Sequence, residues 1–134
     1  MVENADLVIL EVNENLPRTI GDTHVNIKDV NFFYENHAPV PKLPEAAPSE
    51  TDMIIGNYIA DLVEDGSTIQ LGIGGIPNAA AAALKGKKDL GVHTEMFVDT
   101  MVDLYYNGVI NNKKKSYYKG KFVCTFALGS QKLY

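Results

Sequence analysis

The sequence predicts an α/β protein built on parallel strands, and three observations lead there. Apolar, β-rich runs alternate with helix-patterned segments through most of the chain. Several of those runs are unbroken, as strands buried on both faces of a parallel sheet are. A proline-rich stretch divides the alternation into a short first part and a longer second one.

The first strand is expected at Leu7 to Leu10, extending to Val12 past one acid, and Asn13, Asn15 and Pro17 end it. His24 to Ile27, then Val30 and Phe32 to Tyr34, predict one or two more short strands or a turn. Prolines at 39, 41, 44 and 48 deny the backbone the donors that a ladder or helix requires. Residues 39–48 therefore read as a linker between residues 1–38 and 49–134. The first part is too small to bury a core of its own. The last strand is not followed by the helix that an alternating chain should supply, so the chain is expected to be the middle of a longer protein.

After the linker, Ser49 with Asp52 forms a capping box with the shorter acid at its third position. Ile55, Tyr58, Ile59 and Leu62 carry a helical stripe, and Gly66 is expected to close the helix. Thr68 to Ile73 reads as a buried strand, Gly72, Gly74 and Gly75 as a turn, and Pro77 as the first position of a new helix. The alanines from Ala79 to Ala83 give that helix high propensity and a thin face against which a neighbour can pack closely; Gly86 ends it. A short strand is expected at Leu90 to Thr94. Asp99 or Thr100 then caps a helix carrying Met101, Val102 and Tyr105 that Gly108 terminates, and Phe122 to Leu128 is a last buried strand.

The chain has 134 residues and a formal net charge of −5, a mild balance that gives no reason to expect nucleic acid or an acidic membrane surface. The one basic run, Lys113 to Lys115, reads as a solvated turn. Cys124 is the only cysteine, so no internal disulfide or thiolate zinc site is expected, and its apolar surroundings predict a buried, inert thiol. His24, His37 and His93 are too scattered for a metal set, and no metal is expected. Asp99 and Asp103 share a helix face, but capping or exposure accounts for them more simply than a carboxylate pair. No apolar stretch approaches the roughly 20 residues of a membrane span. The first residues lack a secretory pattern. A soluble, cytoplasmic protein is the expectation.

Chemistry concentrates in two places. The run QLGIGGIPN, Gln70 to Asn78, strips side chains from a strand-to-helix turn, so backbone N–H groups can approach a ligand. It is not a dinucleotide fingerprint, because Pro77 stands where the third glycine belongs, nor a phosphate loop, because no Lys-Ser or Lys-Thr follows. Gln70 in an otherwise apolar strand and Asn78 in the first helical turn argue for more than a plain structural turn. The run HTEM places one carboxylate, Glu95, beside His93 and Thr94, where partial desolvation is expected. A bare amide loop with a lone carboxylate suits attack on a carbonyl with N–H donors holding the oxyanion. A structural turn and a surface acid remain the plainer readings, and the residues alone do not name a substrate.

The strings ILEVNENLPRTIGDTHVNI, DGSTIQLGIGGIPNA, KKDLGVHTEMFVD, GVINNKKKS and TFALGSQKLY, in this order, resemble the acetyl-CoA hydrolase/transferase family over essentially the whole chain. That group includes the 4-hydroxybutyrate CoA-transferases and the butyryl-CoA:acetate CoA-transferases, and HTEMFVDTMVDLY and TFALGSQKLY look closer to the latter. The resemblance implies CoA-transferase-like parallel-sheet α/β domains, with residues 1–38 ending a first domain and 49–134 opening a second, catalytic one. It implies Glu95 as the catalytic glutamate, Gly72, Ile73, Gly74, Gly75 and Ile76 as lining the CoA site, and Gln70 and Gly72 as lying next to the reacting thioester. Asn78 and His93 are candidates for support.

The implied activity moves CoA between a short-chain acyl-CoA, such as butyryl-CoA or 4-hydroxybutyryl-CoA, and acetate through a glutamyl-CoA thioester. Coenzyme A is then a substrate, no prosthetic group is required, and the partners are acyl-CoA and short-chain carboxylates. A homo-oligomer is plausible for the longer protein. The alternatives are an acyl-CoA hydrolase sharing the same residues, or a piece that at most binds CoA, and the 134 residues by themselves are expected to be inactive.

Overall fold

The computed structural model describes residues 2–44 and 46–134. The chain forms two compact units, one comprising the residues up to Pro41 together with Tyr134, the other Lys42–Leu133.

In the first unit, β1 (Ile9–Val12) and β2 (Phe32–Glu35) pair in parallel, with Ile9 opposite Phe32 and Val12 opposite Glu35. The strand thus begins two residues later than expected, and it is not buried. Val8 is the only buried residue among those described in this unit, because two strands alone cannot cover their own faces. Polar cross-links compensate locally. Glu11 accepts hydrogen bonds from Tyr34 Oη (2.5 Å) and Asn36 Nδ2 (2.7 Å), which hold its carboxyl below the usual carboxylate range. Residues 24–27 form no strand; Asn26 instead caps a 3₁₀ turn at Ile27–Asp29.

The second unit is a three-stranded parallel sheet in the order β3 (Thr68–Ile69), β4 (Gly91–Phe97), β5 (Val123–Ala127), with α1 (Glu50–Leu62), α2 (Gly75–Ala83) and α3 (Asp99–Tyr106) in the connections. Leu84, Leu90, Val92, Met101, Leu104 and Ile110 form the centre of its core.

The predicted capping box starts α1: Ser49 Oγ accepts the Asp52 N–H, and the Asp52 carboxylate accepts the Ser49 N–H and hydroxyl. The buried face of α1 is not the predicted stripe. Gly56 and Ala60 are buried, while Tyr58, Ile59 and Leu62 are exposed. A Cβ on Gly56 would lie 2.6 Å from the Ala79 carbonyl carbon, so the alanine face of α2 has been allowed to approach the α1 backbone itself. Close backbone approach between small residues has won over burial of the larger side chains.

The helix ends at Leu62 with Val63 as its extended cap, and Gly66, at φ +83°, makes a separate turn beyond it. Pro77 is the third residue of α2 rather than the first, still within the turn where its missing N–H is tolerated. Neither Asp99 nor Thr100 caps α3, whose cap position is Val98; Asp99 is its first helical residue. The other end is as expected: Gly108, at φ +75°, donates to Tyr105, and Val109 donates to Leu104, a Schellman closure.

Two strands differ from expectation in extent. β3 lasts two residues instead of six, and β4 continues to Phe97. β5 is largely exposed, since it is the sheet edge and no strand among the described residues pairs with its outer side. Cys124 is consequently exposed rather than buried, although partial burial pushes its thiol pKa up.

The lysine turn brings the largest correction. Lys113 and Lys114 are exposed, but Lys115 is only 2% exposed. Its Nζ donates to the carbonyls of Val92 (2.7 Å) and Lys121 (2.8 Å). Asn112, 1% exposed and at φ +60°, accepts the Val92 N–H on its Oδ1 at 2.8 Å. Desolvation holds the Lys115 ammonium pKa below its ordinary value.

Candidate functional site

In parallel α/β sheets, ligand sites form beyond the carboxyl ends of the strands. Here that edge collects the segment after β3, the end of β4 and the turn after β5. Leaving β3, the chain exposes Gln70, buries Leu71 as an anchor and runs through Gly72 to Gly74 into α2. Gly74 has φ +113° and ψ −178°, a conformation an L side chain rarely adopts, and it occupies the cap position with no side-chain cap. A Cβ on Gly75 would collide with the Asp52 carboxylate of the α1 capping box. The N–H groups of the first helical turn lack intrahelical acceptors, so Gly75 and Ile76 present donors beside a backbone without bulk. Asn78 is bound from the side: its Nδ2 donates to the Ala46 carbonyl at 2.7 Å.

On β4 burial alternates. Val92 and Thr94 face the core while His93 and Glu95 are exposed, two residues apart on the opposite face and so about 7 Å along the strand. Glu95 is therefore open to solvent, not partly desolvated. Below it on the core face, Thr94 Oγ1 donates to the Met96 carbonyl at 3.0 Å.

A cavity of about 320 Å³ opens at the carboxyl edge between the glycine segment and the turn after β5. Its walls include Ile73, Gly74, Asn78, Val98, Thr100 and Leu128. The fold thus brings Ile73, Gly74 and Asn78 to one cavity; Gln70, His93 and Glu95 are not among its lining residues. Among the described residues, the Thr100 hydroxyl on this wall is buried without a hydrogen-bond partner. Among the described residues no group of His, Cys, Asp or Glu is arranged to hold a metal ion, and no helix is long and apolar enough to cross a membrane.

Two features here were not anticipated from sequence. Asp99 grips Ser130, accepting its N–H and its hydroxyl, both at 2.7 Å. Asn112 and Lys115 bracket Val92. The only sequence signal for the latter was an asparagine pair, since asparagine tolerates positive φ; a lysine's burial leaves no periodic trace.

No family model matches the chain. It is 47% identical over 132 residues to the 4-hydroxybutyrate coenzyme A transferase of Clostridium kluyveri, a match covering 98% of this chain and 31% of the relative. It is 46% identical to a succinyl-CoA:cyclohexane-1-carboxylate CoA transferase of Geobacter metallireducens, over 99% of this chain and 30% of that one. Against the butyryl-CoA:acetate CoA-transferase of Anaerostipes caccae the identity is 40%, over 100% of this chain and 31% of the relative. The crystal structure of a 4-hydroxybutyrate CoA-transferase from Porphyromonas gingivalis superposes with a TM-score of 0.93 at 40% identity, covering 99% of this chain and 34% of that chain. The chain spans about 30% of the length of the curated relatives it matches. In sequence and in fold, then, the chain matches about a third of the length of CoA transferases.

Proposed function

We propose that this chain carries the nucleophile of a CoA transferase acting on short-chain acyl-CoA, and that the nucleophile is Glu95. The observation that carries the reading is an exposed carboxylate on the central strand, near the carboxyl edge where the glycine segment offers backbone donors. Kinship with 4-hydroxybutyrate and butyryl-CoA:acetate transferases supports the substrate class.

The Glu95 carboxylate attacks the thioester carbonyl, and CoA leaves as its thiolate, giving an acyl-glutamyl anhydride. The thiolate then attacks the glutamyl carbonyl and releases the first carboxylate, leaving a glutamyl-CoA thioester. Acetate attacks that thioester, CoA thiolate departs, and its attack on the acetyl carbonyl of the new anhydride yields acetyl-CoA and regenerates Glu95. Each step passes through a tetrahedral oxyanion, for which the donors of Gly75 and Ile76 are candidates; removing one such donor typically lowers rate about 10²–10³-fold. Gln70, Gly72 and Ile73 would flank the thioester, and His93 and Asn78 would support it. On this reading residues 1–38 close one transferase domain, 39–48 link, and 49–134 open the catalytic domain.

In the full-length protein, Glu95→Gln should abolish acetate-dependent CoA exchange, and borohydride reduction of the acyl-CoA-treated enzyme should mark Glu95 by mass. Near-normal exchange in Glu95→Gln would sink the assignment. Thioester loss that proceeds equally without acetate would identify a hydrolase instead.

A further inference from the structure

From Leu90, just before β4, onward, the edge that faces β5 meets three different kinds of partner in turn. At Leu90 the partner is backbone: Leu90 N–H donates to Val109, and its carbonyl accepts from Asn111 and Asn112, around a parallel bridge to Ile110. From His93 onward the partner is β5, which joins with Val123 opposite His93. Val92 lies between, with no strand among the described residues beside it on that edge. There the side chains of Asn112 and Lys115 take its N–H and its carbonyl, and form a rung of the ladder without a strand.

We propose that Asn112 and Lys115 are positioning residues for Glu95, supplying the Val92 rung that sets how β5 joins the strand carrying the nucleophile. The role rests on the assignment of Glu95 made above. Lys115 does more than close an edge. Its second hydrogen bond goes to the Lys121 carbonyl, two residues before β5 begins, so one ammonium ties β4 to the entry of β5. The lysine stem passes directly over Gly91, where an added Cβ would stand 2.5 Å from Lys115 Cγ.

Register matters at this place because side chains alternate. A one-residue slip of β4 would carry Glu95 to the buried face now held by Thr94. The ladder with β5 begins only at His93, two residues before Glu95, and leaves little length in which to correct an error. A fixed rung immediately ahead of it removes that freedom. An ammonium suits the position because it bonds two carbonyls at once, which methionine of similar length cannot do.

The test uses the full-length protein and the variants Lys115→Met, Asn112→Leu and Asn112→Asp, with folding followed by thermal unfolding. In folded Lys115→Met and Asn112→Leu, kcat for exchange should fall about 100-fold, the scale of a misplacement near 1 Å, with KM for acyl-CoA almost unchanged. Asn112→Asp, which keeps the acceptor, should recover most of the lost kcat. Exchange lost in Glu95→Gln but fully kept in folded Lys115→Met overturns the positioning role alone. Exchange that survives Glu95→Gln overturns the nucleophile assignment and this role with it. Should the variants not fold, hydrogen exchange on the unaltered protein decides: the Val92 amide should be as protected as that of Thr94. A Val92 amide exchanging as freely as that of exposed Lys114 overturns the proposal.

Discussion

Asp99 accepts both hydrogen bonds that Ser130 can direct at it, from the backbone N–H to Oδ2 and from the hydroxyl to Oδ1, each at 2.7 Å. The carboxylate belongs to the first turn of α3, where the helix dipole favours negative charge, and it fixes the turn that follows β5. Gly129 is bare because a Cβ there would sit 2.6 Å from the same carboxylate. Asp99→Ala removes charge-assisted bonds and should destabilise the chain by about 1–3 kcal/mol in urea unfolding. Ser130→Ala, which retains the N–H donor, should lose less.

The Gly56 contact predicts an inversion of helix propensity. Alanine is better than glycine in a helix interior by roughly 1 kcal/mol. Here the added methyl meets the backbone of α2 at Ala79 and Ala80, which cannot rotate aside. Gly56→Ala should therefore lower stability, by about 1–3 kcal/mol for overpacking, and thermal unfolding measures it directly. An unchanged or raised midpoint would show that the two helices separate readily.

Thr100 offers the opposite sign. Its hydroxyl is buried without a partner among the described residues. Valine fills the same volume without a polar atom to desolvate, so Thr100→Val should be stabilising by roughly 1 kcal/mol. Loss of stability would mean that a water or ligand satisfies the hydroxyl.

The capping box gives a pH signature. Hydrogen bonds from the Ser49 backbone, then from its side chain, hold the Asp52 carboxyl below its ordinary value of 3.8. The folded state thus binds the proton less readily than the unfolded one. The resulting stabilisation is present above about 3.8 and is lost as pH falls through the lowered folded value. Between pH about 5 and 2, the unfolding midpoint of the native chain should fall more steeply than that of Asp52→Asn. Parallel curves would remove Asp52 from the acid response.

Much of the second unit was legible because its signals are local. The Ser49–Asp52 box, the alanine helix and the Gly108 closure each depend on neighbours within a turn, and all three are in the structure. What escaped was set by distant partners. Periodicity identified α1 as a helix, but Gly56 against Ala79 decided which face it buries. Lys115 looked like its two exposed neighbours until the carbonyls of Val92 and Lys121 supplied acceptors. Glu95 was singled out by its motif, whereas its exposure follows from the alternation of β4. The cavity wall at Thr100 and Leu128 joins residues far apart in sequence and has no local signature.

The unequal lengths of β3 and β4 have a consequence of their own. β3 pairs with β4 only through Thr68–Gly91 and Ile69–Val92, and the chain then departs toward Gln70 and the glycines. From His93 to Phe97, β4 keeps β5 on one flank and no strand of the described residues on the other. The sheet is notched, and the notch is made of hydrogen bonds left unformed rather than of side chains removed. A wedge of this kind exposes main-chain donors and acceptors alongside Glu95 without opening a hole in the core. Its depth is governed by where β3 stops, so a β-branched residue at Gly72 that prolonged the pairing would zip the wedge shut.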